Sequence, residues 1–256
     1  MKITLDLSPN YSKKRRLRKD IKFVIFHYTG MQSEIESLKR LKDPKYKVSC
    51  HYIISRKGGV TQMVREKNIA WHAGKSKWKK FNNLNNYSIG IELVNKGHQF
   101  GYQNFSHKQI YSLINLCKKI KKKYLIKKEN FLGHSDIAPL RKVDPGEKFP
   151  WQKLSMFNIG KWYVKTKSKL EVNPKKIETL FFKNLQKLGF GYFSKNKRNL
   201  KNKMIIKAFQ RHYLPNSITG KIDKKTFKIF FLIYVLIEQL ISVFVFFFCS
   251  FSTCFL

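Results

Sequence analysis

The run IKFVIFHYT at residues 21 to 29 is the strongest constraint on the fold. From Phe23 to Phe26 every side chain is apolar, with no polar alternate until His27. A strand of this kind has no solvent face, so it belongs inside a sheet covered on both sides. The sequence around it supplies the cover. SEIESLKRLKD follows, with Ser33 and Glu36 spaced as a capping box at the start of a short helix. Residues 50 to 64 predict two strands about a Lys57-Gly58-Gly59 turn, and residues 87 to 94 predict another. A helix is expected to begin near Ser106. Its apolar residues Ile110, Leu113, Ile114, Cys117 and Ile120 form a stripe at helical spacing. Strands interleaved with helices predict an α/β domain with a mixed central sheet, ending near Trp151 or soon after.

Residues 152 to 173 read as a polar, lysine-rich connection. Pro174 can open a helix at its first turn, continued by Ile177, Leu180, Phe181, Leu185 and Leu188 and ended by Gly189 and Gly191. Met204, Ile205, Ala208 and Phe209 mark a second helix, broken by Pro215 and Gly220. Asp223 caps a third, with Thr226 three residues on. The expected organisation is an α/β domain over residues 1–160, a small three-helix domain over 174–237, and an apolar tail over 238–256. From Leu240 onward the tail is apolar or small and polar, near the lower limit of the roughly 17–25 residues that a membrane span needs. It reads either as a membrane anchor or as an aberrant, frayed apolar tail after a buried helix. The N-terminal MKITLDLSPNYSKKRRLRKD has a basic cluster and lacks the apolar stretch of a secretory signal.

Lys and Arg number 53 against 15 Asp and Glu, a formal charge of +38. Such a chain is drawn to polyanions. The lysines are scattered, with no reading helix and no basic platform interleaved with aromatics, so no specific nucleic-acid partner is expected. The four cysteines, Cys50, Cys117, Cys249 and Cys254, are spaced neither as a disulfide framework nor as a zinc knuckle.

The chemistry-bearing residues gather at the end of the first strand and in GHSDIAPLRKVDPGEKFPW, residues 133 to 151. His27 closes the strand, where a side chain can enter a crevice. His134 and Asp144 either complete an open zinc site with it or form a hydrogen-bonded pair that stabilises the loop. Glu92 lies on the strand face of Gly90 and Val94, where a carboxylate is costly unless paired or functional; beside a metal it can act as a general base. Lys142 shares a face with Asp144 if the loop is extended, and can stabilise an oxyanion there.

Taken together, His27 in FHYT, AWHAG at 70 to 74, IGIELVN at 89 to 95 and GHSDIAPLRKVDPG at 133 to 146 resemble the zinc-dependent N-acetylmuramoyl-L-alanine amidases, the family of phage lysozyme-type and bacterial anhydromuropeptide and lipoprotein amidases. The resemblance implies the type 2 amidase fold, a mixed sheet flanked by helices. It implies one zinc held by His27, His134 and Asp144, Glu92 as general base and Lys142 as transition-state stabiliser. The bond cleaved would join N-acetylmuramic acid, or its 1,6-anhydro form, to L-alanine of a stem peptide. Trp71 and His72 would line the substrate groove; otherwise Trp71 packs a core and His72 hydrogen-bonds nearby. His51, His98, His107 and His212 fall outside the ligand positions.

IIKAFQRHYLPNSITGKIDKKTFKIF, residues 205 to 230, resembles a small helical peptidoglycan-binding domain through its AFQ, Gly and Asp-x-x-Thr pattern. The implied partners are peptidoglycan or muropeptides, with membrane association through the tail as a further expectation. A wall-binding module points to the cell envelope; the absence of a signal points to a cytoplasmic recycling amidase instead. A non-catalytic wall-binding protein is the reading from another class, and the complete set of site residues argues against it.

Overall fold

The computed structural model describes residues 2–164, 174–192 and 199–233. In chain order the elements are β1 Ile3–Leu5, β2 Tyr11–Arg15, β3 Phe23–Tyr28, α1 Glu34–Lys42, β4 Tyr52–Ile54, β5 Val60–Gln62, β6 Asn68–Ala70, β7 Lys77–Trp78, β8 Phe81–Asn82, β9 Ser88–Leu93, α2 His107–Tyr124, β10 Phe131–Gly133, α3 His134–Ile137, α4 Trp151–Ser155, α5 Pro174–Leu188, α6 Leu200–Tyr213 and α7 at 224–233. Six strands form one mixed sheet in the order β1-β5-β4-β9-β3-β10. β3 pairs in parallel with β9 on one side and β10 on the other, while β4 and β5 form the expected antiparallel hairpin.

The local signals act as the sequence requires. Ser33 Oγ accepts the Glu36 N–H at 3.1 Å, and Ser106 Oγ accepts the Gln109 N–H at 3.1 Å, so both helices start where their caps stand. Gly58 takes a left-handed φ of 89° in the hairpin turn, a conformation open to glycine at little cost.

Alternation along β3 divides the interior in two. Val24 and Phe26 point to one face, where Ile89, Ile91 and Leu93 of β9 join Ile110, Leu113, Ile114, Cys117 and Ile120 of α2. Phe23 and Ile25 point to the other. There they join Leu132 and Ile137, and the cluster runs on into Phe181, Leu185, Ile205, Phe209 and Phe230 of the C-terminal helices. Those helices are tied together by Gln210, the Gln of AFQ. Its Oε1 accepts the Gly220 N–H at 2.8 Å and its Nε2 donates to Thr226 Oγ1 at 2.9 Å, while Asp223 Oδ1 accepts the Thr226 N–H at 2.7 Å. The AFQ…G…DxxT pattern is thus one hydrogen-bonded corner.

Three expectations are corrected. The stretch after Trp151 is not all connection: α4 is helical and Trp151, Leu154 and Ile159 are buried in the α2-side core. β1, β2, β6, β7, β8 and β10 were not expected: all but β2 have only two or three residues, too few for a periodic signal, and the five-residue β2, like β1, carries mostly exposed side chains. The third concerns the membrane. Against the expected membrane partner, no helix among the described residues is long and apolar enough to cross one; the tail at 238–256 lies outside the described residues.

His212 of α6 reaches Asp136 of α3, with Nδ1 2.9 Å from Oδ2 and both side chains buried. Its ring stacks on Trp151 at 3.8 Å between centroids. Breaking a buried pair leaves one partner without compensation, at a cost of roughly 3–5 kcal/mol. His212→Ala is therefore expected to lower unfolding free energy by that order in urea titration. Asp136→Asn in the same chain should recover part of the loss, the coupling being read from the double-mutant cycle.

Candidate metal centre

β3 ends at the site. His27 follows Phe23 and Ile25 on the face that the C-terminal helices cover, but at the strand's far end, where that cover stops and a cleft of about 590 Å³ opens. β10 leads straight into α3, so His134 is the first residue of that turn; Asp136 Oδ2 accepts the Gly133 N–H at 2.7 Å and holds the turn's start. The following loop folds back, with Arg141 and Lys142 N–H both donating to the Ala138 carbonyl at 3.1 Å. The Asp144 carbonyl accepts the Ser135 N–H at 2.8 Å. Asp144 is thereby returned beside His134.

The three side chains meet as an equilateral triangle. His27 Nδ1, His134 Nδ1 and Asp144 Oδ2 lie 3.0 Å from one another along each edge. Donor atoms around a tetrahedral zinc with Zn–N near 2.0–2.1 Å are separated by roughly 3.3 Å, so the spacing suits a shared ion. The hydrogen bonds agree. His134 Nε2 lies 3.1 Å from the Ala73 carbonyl, which only accepts, and 3.3 Å from Arg141 Nη2, which only donates; a proton on Nε2 goes to the carbonyl, the shorter contact, and leaves the Nδ1 lone pair for a metal. Burial, followed by the neighbouring His134, lowers the His27 pKa to about 4, which keeps the ring neutral near pH 7. Burial alone would raise Asp144. The charge of His134 and the hydrogen bonds from His134 and His27 outweigh it and hold this carboxylate well below its ordinary range. Two imidazoles and one carboxylate are a donor set fitted to zinc with a position left open.

The β3–β9 register places Glu92 directly across from His27. Its Oε2 is buried without a hydrogen-bond partner. Burial pushes its carboxyl up to about 8, the Asp144 carboxylate adds to this, and Lys142 opposes it. Lys142 and Trp71 line the cleft. His72 also borders it but is only 9% exposed, and its Nδ1 lies 3.0 Å from His27 Nε2. His51 is buried away from the triangle and accepts the Gly90 N–H at 3.0 Å. His98 sits at the rim, bonded to Tyr28 at 2.9 Å and to Glu147 at 3.1 Å.

Sequence reasoning missed Ser88 and the Ala73 carbonyl as supports of the site. The Ser88-Gly90-Glu92 alternation on β9 carried a signal for the first; a backbone carbonyl carries none.

The family description N-acetylmuramoyl-L-alanine amidase (Amidase_2) matches residues 17–147. The chain belongs to this family. It is 36% identical over 222 residues to N-acetylmuramoyl-L-alanine amidase AmiD of Escherichia coli, covering 80% of this chain and 79% of that protein. To 1,6-anhydro-N-acetylmuramyl-L-alanine amidase AmpD of Haemophilus influenzae it is 35% identical over 164 residues, 57% of this chain and 86% of the relative. The solved structure of E. coli AmiD with anhydro-N-acetylmuramic acid-L-Ala-D-gamma-Glu-L-Lys superposes with a TM-score of 0.72 at 32% identity, covering 88% of this chain and 92% of that one. AmpDh3 from Pseudomonas aeruginosa in complex with an anhydromuramic pentapeptide gives 0.73 at 28%, covering 88% and 95%. With the family established and the His27, His134 and Asp144 cluster in place, the chain is a zinc-dependent amidohydrolase of the type 2 amidase fold.

Because folding raises the Glu92 pKa from 4.5 to about 8, the metal-free fold prefers the protonated carboxyl. The stability this contributes is fully present below pH 4.5 and is lost as pH rises towards 8. Glu92→Gln, which stays neutral, is expected to gain on the wild type as pH rises from 5 to 8, read as the difference in urea midpoint of chelator-treated protein.

Proposed function

We propose that the protein hydrolyses the amide between an N-acetylmuramoyl or 1,6-anhydro-N-acetylmuramoyl lactyl group and L-alanine of a peptidoglycan stem peptide, with Glu92 as the general base and Lys142 as the oxyanion partner. The observation that carries this reading is the unpartnered Oε2 of Glu92, set in register with His27 at the mouth of the cleft. A buried carboxylate oxygen without a donor is costly. Here it faces the place where an attacking water would stand beside the ligand triangle.

Zinc held by His27, His134 and Asp144 supplies Lewis acidity, which makes water a competent nucleophile near neutral pH and polarises the scissile carbonyl. Glu92 takes the proton of the water as its oxygen bonds to the carbonyl carbon. In the metal-free fold, burial, with the Asp144 carboxylate, raises the Glu92 carboxyl above the ordinary carboxylate range, the direction that strengthens a carboxylate as a base. The Lys142 ammonium faces the negative charge that develops on the carbonyl oxygen. Glu92 then passes its proton to the nitrogen of L-alanine as the carbon–nitrogen bond breaks. The products are a muramic carboxylate and a free peptide amine. Trp71 forms part of the wall along which a stem peptide would lie. The ligands carried by the AmiD and AmpDh3 structures, both anhydromuramic peptides, support this substrate class.

We assign the segment 174–237 a docking role on the wall, on the strength of the AFQ…G…DxxT pattern, and infer from it a substrate in the cell envelope. Tethering of this kind raises local substrate concentration and leaves the chemistry unchanged.

His134→Ala is expected to abolish both zinc retention, measured by elemental analysis, and cleavage of soluble anhydromuropeptide, measured by product mass. Stoichiometric zinc in that variant would remove His134 from the metal site. Glu92→Ala should keep its zinc while kcat falls on the order of 10²–10⁴-fold, the usual worth of a general acid–base group. A kcat near that of the wild type would take Glu92 out of the mechanism.

A further inference from the structure

We propose that His72 is a positioning residue: it fixes the tautomer and ring orientation of His27 and does not act as a substrate-contacting wall residue. This rests on the zinc reading of the His27, His134 and Asp144 cluster. A histidine that offers Nδ1 to a metal carries its proton on Nε2, and a buried N–H needs an acceptor. For His134 the acceptor is the Ala73 carbonyl. For His27, which is 1% exposed, it is the Nδ1 of another imidazole, that of His72 at 3.0 Å.

An imidazole can accept at Nδ1 only if its own proton sits on Nε2, and the surroundings of His72 hold it there. His72 Nε2 lies 3.2 Å from Ser88 Oγ, and the Ser88 hydroxyl donates to the Leu84 carbonyl at 2.6 Å. Read outward from the ligand triangle, each proton has one destination: His27 Nε2–H to His72, His72 Nε2–H to Ser88, Ser88 O–H to a carbonyl that can only accept. The reversed order fails. A proton on His72 Nδ1 would be donated to His27 Nε2, and neutral His27 would then carry its own proton on Nδ1, aimed at the point the three ligands share. The direction of this chain and the ability of His27 to bind a metal are therefore one property.

The backbone is built to hold the ring in place. A Cβ on Gly90 would lie 2.4 Å from His72 Cγ, so β9 admits the imidazole only because it carries no side chain there. The His72 and Ala73 amides both donate to Asn85 Oδ1, at 3.0 and 2.6 Å. One face of β9 thus supplies the end of the chain at Ser88, the space at Gly90 and the carboxylate at Glu92.

The test is zinc affinity, by competition with a chromophoric chelator, together with the visible spectrum of the cobalt-substituted protein. His72→Ala removes the acceptor and should weaken zinc binding by about 10–100-fold, the usual loss when the partner of a ligand histidine is removed, with an altered cobalt spectrum. His72→Asn keeps an acceptor oxygen near the Nδ1 position and should restore most of the affinity. Ser88→Ala frees the far end and should give a smaller loss in the same direction, which covers the case of His72→Ala failing to fold. Wild-type zinc affinity and cobalt spectrum in both the His72→Ala and Ser88→Ala proteins would overturn the proposal. So would a His72→Ala protein of unchanged zinc affinity whose only defect is a raised KM. If the wild-type chain itself took up no zinc, the metal reading would fall first and this proposal with it.

Discussion

The parallel pairing of β3 with β9 is the constraint on which the rest depends. It sets His27 beside Glu92, Ile25 beside Gly90 and Phe23 beside Ser88. Since side chains alternate along both strands, these six share one face. A one-residue slip of either strand would send His27 and Glu92 to opposite sides of the sheet and bury the slipped one in the apolar layer against α2. The apolar residues on the reverse face of β9, Ile89, Ile91 and Leu93, oppose such a slip because each would have to exchange places with Ser88, Gly90 or Glu92. The core on one side of the sheet is what fixes the chemistry on the other.

The second face is shared between stability and function along its length. Towards the strand starts, Phe23, Ile25 and Leu132 are covered by the C-terminal helices; towards the strand ends the cover stops and the cleft begins. His212 closes the seam. It pairs with Asp136, the residue whose carboxylate also holds the Gly133 amide at the start of the turn that carries His134. Packing of the C-terminal helices and placement of a metal ligand therefore meet at a single carboxylate. A helix stripe of Phe181, Leu185, Ile205 and Phe209 announces that something apolar must be covered, and the structure shows that the sheet is part of it.

What was legible in the sequence follows from how local each signal is. The apolar run through β3, the caps at Ser33 and Ser106 and the Gly58 turn are written in adjacent residues, and each of these elements stands where its signal lies. The meeting of His134 with Asp144 was readable because one loop carries both. The inward aim of His72 was not, because it depends on an absence: a missing side chain at Gly90, far away in sequence and adjacent only through the sheet. The packing of the C-terminal helices on the sheet was hidden for a related reason. Periodicity identifies which face of a helix is apolar but not the surface it will meet.

The scarcity of acid gives the remaining carboxylates a sharper meaning. With 15 Asp and Glu against 53 Lys and Arg, an exposed carboxylate would never lack a cation, yet several lie inside. Glu66 is 8% exposed and accepts from the Tyr52 and Tyr124 hydroxyls as well as Lys123, a closed arrangement that anchors α2 to the hairpin. Asp136 serves the turn at His134, and Asp144 serves the ligand triangle. Each of these has at least one oxygen engaged in holding structure or the triangle in place. Glu92 differs in its setting: its buried Oε2 has no donor, as Asp136 Oδ1 has none, but Glu92 lies on the cleft. Among surfaces this cationic, long-range attraction brings anionic polymers near without choosing between them. Choice has to come from short-range chemistry, and Glu92 is an interior carboxylate with an open oxygen that borders the cleft.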